Sequence, residues 1–207
     1  MRICGIVLAA GAGTRYGSPK GLARTADGEA WVARGVRTLR DGGCDEVLVV
    51  IGARADEVAA LVPDDARVVE AGDWAAGLSA SLRAGLRTAQ DAASGAGAAE
   101  GTGSADPSLT AAPAFDAVIV MPVDTPGTPA AAVARVRAAL AATPRSSLVQ
   151  AVYGSRPGHP VGIGRDHVPA LLAALAGDRG ARPYLAAHHA IEVECADLWS
   201  GDDIDHR

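Results

Sequence analysis

Residues able to manage a polyphosphate are concentrated near the start of the chain, where Leu8 to Lys20 read LAAGAGTRYGSPK. Gly11 and Gly13 let a backbone turn tightly and bring its N–H groups against phosphate oxygens, and Arg15 and Lys20 add fixed positive charge. With Leu8, Ala9 and Ala10 leading in, the segment has the makings of a triphosphate cradle. Taken singly, each residue has an ordinary explanation, since glycines follow many strands and a loop lysine is commonly solvated. A second feature is Asp124, in Val123-Asp124-Thr125-Pro126, directly beyond an apolar run. A hard divalent cation bridging phosphate oxygens takes oxygen ligands, and only one or two of them from the protein. The competing role for Asp124 is to cap a helix beginning near Pro129.

The elements that must position these groups follow from periodicity. Ile3 to Leu8 is a short apolar run opening into glycines, as expected of a strand buried on both faces. A helical stretch around Trp31, Val32, Val36 and Leu39 ends at Gly42-Gly43, and Glu46 to Ile51 reads as the next strand. Further along come a helix near Asp56 to Val62, a strand near Arg67 to Glu70, and a helix carrying Leu78, Leu82 and Leu86. The strand Ala117 to Met121, a helix from Pro129 with Val133, Val136 and Leu140, and the strand Leu148 to Tyr153 complete the series. Alternation of this kind predicts an α/β fold of Rossmann-like, three-layer form with a mostly parallel sheet, and ligands bound beyond the carboxyl ends of its strands. The 207 residues suit one domain, with a flexible insertion at 91–113, where the sequence is almost entirely Ala, Gly, Ser, Thr and Pro.

Composition removes several function classes. A net charge of −5 with no basic run argues against nucleic acid as a partner. No apolar stretch reaches the roughly 20 residues that span a bilayer, so no membrane partner is expected. Cys4, Cys44 and Cys195 are few, odd in number and without CxxC spacing, which suggests neither a disulfide framework nor a zinc site and fits a cytoplasmic location.

The loop matches LAAGxGxRxGxxK at every fixed position, and on those residues the chain resembles the molybdopterin-modifying nucleotidyltransferases, a branch of a superfamily that also handles sugar phosphates and methylerythritol phosphate. The resemblance implies an NTP bound by the loop, with Lys20 and Arg15 stabilising charge at the α-phosphate. It implies Mg²⁺ held by Asp124, in the family's Asp-x-Pro motif, and by Asp205 in Asp203-Ile204-Asp205. Relatives continue from there with Thr-Pro and this chain with His206-Arg207, so a solvated acidic tail is the other reading of Asp205.

Asp73 to Leu82 is similar to the family's nucleotide-binding segment. Within it, Gly77, Ser79 and Ser81 are candidates for base or ribose contacts, the two serines being equally suited to capping the helix that carries Leu82. Gly158-His159-Pro160 and Gly177-Asp178-Arg179-Gly180-Ala181-Arg182 resemble acceptor segments of molybdopterin cytidylyltransferases. They assign His159 and Arg182 to a phosphorylated small-molecule acceptor, unless these glycine-rich stretches are only turns. The LAAG start favours CTP, since the guanylyl branch usually begins LAGG, and the family implies handover of the product to a molybdoenzyme or its chaperone.

Two other classes remain open. An NAD(P)-dependent oxidoreductase would also use Gly11-x-Gly13 after a first strand, although Gly17 falls one position late for the dinucleotide fingerprint and no acidic residue ends the second strand. A non-catalytic module would bind nucleotide without releasing pyrophosphate.

Overall fold

A computed structural model describes residues 1–94 and 115–206. Seven strands form one sheet: β1 (Ile3–Leu8), β2 (Glu46–Ile51), β3 (Arg67–Glu70), β4 (Ala117–Pro122), β5 (Leu148–Tyr153), β6 (Arg156–Gly164) and β7 (Ile191–Glu194). Their spatial order is β3-β2-β1-β4-β6-β5-β7. β1 pairs in parallel with β2 and β4, β2 with β3, and β5 with β7, whereas β6 runs antiparallel to both of its neighbours. The α/β fold with a mostly parallel sheet is therefore the observed one.

The helices are α1 (Trp31–Asp41), α2 (Ala55–Ala59), α3 (Leu78–Ser94), α4 (Ala130–Leu140), α5 (Val168–Ala174) and α6 (Arg182–Ala187). Alternate strand residues point to opposite faces, and the core divides accordingly. Ile3, Val7, Val47, Val49, Ile119 and Met121 join Val36 and Leu39 of α1 and Val133, Val136 and Leu140 of α4 in one apolar layer. Cys4, Ile6, Leu48, Val50, Val118 and Val120 meet Leu82 and Leu86 of α3, Leu171 of α5 and Leu185 of α6 in the other. All six residues of β1 are buried, so the sheet is covered on both sides and the chemistry is confined to its edges and ends.

One alternative reading and one boundary change. Gly158, His159 and Pro160 lie within β6 rather than in a turn; the turn is Gly154-Ser155, both at positive φ, which closes the β5–β6 hairpin. The expected insertion starts too early, because 91–94 form the last turn of α3, and its remainder lies outside the described residues.

Candidate active site

The carboxyl ends of β1 and β4 lie side by side, with the Val123 N–H donating to the Leu8 carbonyl at 3.0 Å. The glycine loop leaves one end and Asp124 the other. Gly13 adopts φ +62°, and a Cβ there would run into the Ser18 carbonyl, so the loop's tight return depends on glycine. The return delivers a short 3₁₀ turn at Lys20–Leu22. It places the Lys20 ammonium 2.8 Å from Asp124 Oδ2. The Asp124 loop is held from the helix side by Arg34 of α1, whose Nε donates to the Pro126 carbonyl at 2.6 Å.

Asp205 arrives from the far end of the sequence. The Ile204 N–H donates to the Asp124 carbonyl at 2.9 Å, and Asp205 then accepts from Lys20 at 2.8 Å and from Arg15 at 2.7 Å. Lys20 is thus clasped between two carboxylates with only 14% of its side chain exposed, whereas Arg15 is 70% exposed. Burial alone would lower the Lys20 pKa, but the hydrogen bonds and charges of Asp124 and Asp205 outweigh it and hold the ammonium above its ordinary value. The Lys20 hydrogen bond correspondingly depresses the Asp205 carboxyl.

Asp203 is a third carboxylate at this place: ligand atoms of Asp124, Asp203 and Asp205 all lie within 4.8 Å of one another. Sequence reasoning passed over it, although two residues apart in an extended segment puts side chains on one side. Three hard oxygen donors suit a hard divalent cation such as Mg²⁺ or Mn²⁺. A cleft of ≈ 430 Å³ opens over Asp124 and Asp205, with Leu8, Gly11, Gly13, Lys20 and Leu78 also among its lining.

The remaining expected residues are distributed less simply. Ala10 is buried beneath the cleft, where its carbonyl accepts from the Ala53 N–H at 2.9 Å. Ser79 and Ser81 lie inside α3, buried, with the Ser79 hydroxyl unpartnered; neither caps the helix or lines the cleft. The α3 N-terminus meets Asp178 instead, whose Oδ1 accepts weakly from the Leu78 N–H at 3.4 Å. Gly77, at φ +108°, leaves the room that this carboxylate needs. His159 and Arg182 come together across a second cavity of ≈ 210 Å³, with Arg179 beside them and Leu78, Leu82 and Ile163 among its apolar lining. Leu8 and Leu78 line both spaces, so the two are neighbours. Burial lowers the His159 pKa, against the opposing pull of Asp124 and Asp203.

A glycine loop backed by cations, facing carboxylates at the carboxyl ends of adjacent parallel strands, defines a nucleotidyltransferase class of site on an α/β fold. The family model described as the MobA-like NTP transferase domain matches residues 5–192, and the chain belongs to that family.

Among curated relatives, nicotine blue oxidoreductase of Paenarthrobacter nicotinovorans is 31% identical over 98% of this chain and 92% of its own length. Molybdenum cofactor guanylyltransferase of Burkholderia ambifaria is 34% identical over 94% of this chain and 87% of its own. Among solved structures, the Rv0371c homologue from Mycobacterium sp. strain JC1 aligns at TM-score 0.73 and 25% identity, covering 100% of this chain and 92% of that one. A manganese complex of Rv0371c from Mycobacterium tuberculosis aligns at TM-score 0.68 and 24% identity, covering 94% and 89%. Among the described residues no helix is long and apolar enough to cross a membrane.

Proposed function

We propose that the protein is a cytoplasmic enzyme that transfers a nucleoside monophosphate from an NTP to a small phosphorylated acceptor, with one nucleotidyltransferase domain over 1–207 and Mg²⁺ as its cation. The observation that carries this reading is Lys20, held 2.8 Å from both Asp124 and Asp205 at the return of the glycine loop. N–H groups around Gly11 and Gly13 receive the triphosphate, and Lys20 and Arg15 offset charge developing on it. Asp124 and Asp205, joined by Asp203, would hold the cation, which when bound neutralises phosphate oxygens. An acceptor phosphate, oriented by Arg182 and His159 in the adjoining cavity, attacks the α-phosphorus in line. One P–O bond forms, the bond to the β-phosphate bridge breaks, and pyrophosphate leaves, with no protein nucleophile required.

The LAAG start supports CTP as donor, while the relatives named molybdenum cofactor guanylyltransferase support GTP. The name of those relatives also supports a molybdenum-cofactor acceptor, and onward handover to a molybdoenzyme or its chaperone is what the family resemblance adds. The test is pyrophosphate release with molybdopterin-type cofactor as acceptor, run with each of the four NTPs and Mg²⁺. Release with CTP or GTP supports the reading and assigns the base; no release with any NTP sinks it.

A second reading, an NAD(P)-dependent oxidoreductase, is favoured by the relative named nicotine blue oxidoreductase. Geometry weighs against it. In the dinucleotide fold the glycine loop opens directly into a helix whose N-terminus faces the pyrophosphate, whereas here residues 9–30 intervene before α1 and contain only a short 3₁₀ turn.

A further inference from the structure

The segment 199–205 carries two of the three clustered carboxylates, yet it has no regular secondary structure and most of its residues are exposed. An extended segment of this kind loses conformational freedom on docking and needs specific anchors to stay in place. Its own charges work against docking, because Asp203 and Asp205 must approach Asp124.

The β5–β6 hairpin supplies anchors at the start of the segment. The Trp199 ring packs edge-on against Tyr153, the last residue of β5, with centroids 5.6 Å apart. The same indole lies so close to Gly127 that a Cβ there would sit 2.6 Å from the ring nitrogen. The Tyr153 ring lies against Gly201, and its hydroxyl donates to the His159 carbonyl at 2.6 Å, which fixes the ring on β6. Arg156, the first residue of β6, donates from Nη2 to the Ser200 carbonyl at 2.7 Å and to Asp202 Oδ1 at 2.9 Å. Beyond these contacts the chain reaches the Ile204 to Asp124 backbone bond, and only then Asp205.

We propose that Arg156 is a positioning residue: by pinning Ser200 and Asp202 to the hairpin it presents Asp203 and Asp205 to Asp124, without itself touching the clustered carboxylates. Arg156 satisfies Asp202, the acidic neighbour that takes no part in the cluster, so its charge draws the segment down while Asp203 and Asp205 stay available. The guanidinium suits this task because one planar group serves a carbonyl and a carboxylate at once. The cation-holding role of the cluster rests on the function proposed above; the pinning itself does not.

The test compares full-length wild-type protein with Arg156→Ala and Arg156→Lys, without nucleotide, by hydrogen exchange at the Ile204 amide and by calorimetric titration with Mn²⁺. The side chain is more than half exposed, so both variants should melt with the wild type. We expect Arg156→Ala to speed Ile204 exchange and weaken Mn²⁺ binding, each by about three- to tenfold, the low end of what one exposed charge pair plus one solvent-accessible hydrogen bond supplies. Lysine, which keeps the charge, should recover part of both. Ile204 exchange in Arg156→Ala equal to that of the wild type overturns the proposal. Exchange needs neither metal nor nucleotide, so a wild-type protein indifferent to Mn²⁺ would count against the proposed function, while the pinning would still be decided by Ile204.

Discussion

Removing Lys20 should separate the two tasks assigned to it, in folding and in turnover. In Lys20→Ala, Asp124 and Asp205 each lose a 2.8 Å charge-assisted bond and face one another and Asp203 with Arg15 as the remaining cation of the clasp. Such bonds contribute about 1.5–3 kcal/mol each when well shielded. Both carboxylates retain some exposure and can recover water, so a total loss of about 2 kcal/mol is expected. For a chain of this length that corresponds to a fall in melting temperature of roughly 4–8 °C, short of unfolding at room temperature. Turnover should suffer more, because a preorganised cation acts mainly where charge develops; loss of one such group costs on the order of 10²–10³ in kcat. Thermal melts and pyrophosphate release at matched protein concentration measure the two effects together. Divalent cation should also stabilise the variant more than the wild type, since it replaces the missing positive charge. Turnover within about threefold of wild type in a folded variant would refute the role given to Lys20.

Other perturbations test separate parts of the account. Gly13→Ala forces a Cβ toward the Ser18 carbonyl at a positive φ, so a loss of about 1–3 kcal/mol in urea melts is expected, together with weaker stabilisation by NTP; an unchanged melt would contradict the loop geometry. Burial pushes the Cys44 thiol up to about 12 from 9.0. Above pH 9 the unfolded chain releases this proton while the native state keeps it, so stability falls as pH rises. At pH 10 the share from Cys44 is about 1.4 kcal/mol, and Cys44→Ala should make the alkaline decline shallower in urea melts at pH 8 and pH 10. Asp205→Asn should weaken Mn²⁺ binding about tenfold in calorimetric titration, as expected when one charged oxygen ligand becomes neutral; undiminished binding would remove Asp205 from the cation site.

Much of the fold was legible because buried strands leave largely apolar runs, as at Glu46–Ile51 and Leu148–Tyr153, which were read with the bounds the structure shows; the exposed edge strand Arg67–Glu70 was placed by the alternation of strands and helices. β6 was not, since Arg156-Pro157-Gly158-His159-Pro160 carries two prolines and a glycine and resembles a turn, and its place in the sheet is fixed by long-range pairing with β4 and by the Gly154-Ser155 turn. α5 and α6, of seven and six residues, each make fewer than two turns, too few for an apolar face to repeat. At the candidate site, Lys20 and Asp124 could be picked out because each lies in a short motif that begins at the carboxyl end of a strand, β1 or β4. The meeting of Asp205 with them was implied by the family resemblance alone, because it depends on a backbone bond between Ile204 and Asp124 and on anchors at Trp199 and Arg156 that no local pattern announces. Ser79 and Ser81 were named from the family resemblance; both are buried within α3 and neither lines the cleft.

The most direct test of the central claim is thermal stabilisation of the intact protein by CTP, GTP, ATP, UTP and NAD(P)H, each with and without Mg²⁺. The account predicts stabilisation by an NTP, CTP or GTP foremost, that depends on Mg²⁺ and is lost in Asp124→Asn. Stabilisation by NAD(P)H alone, indifferent to the cation, would contradict it and move the protein to the oxidoreductase reading.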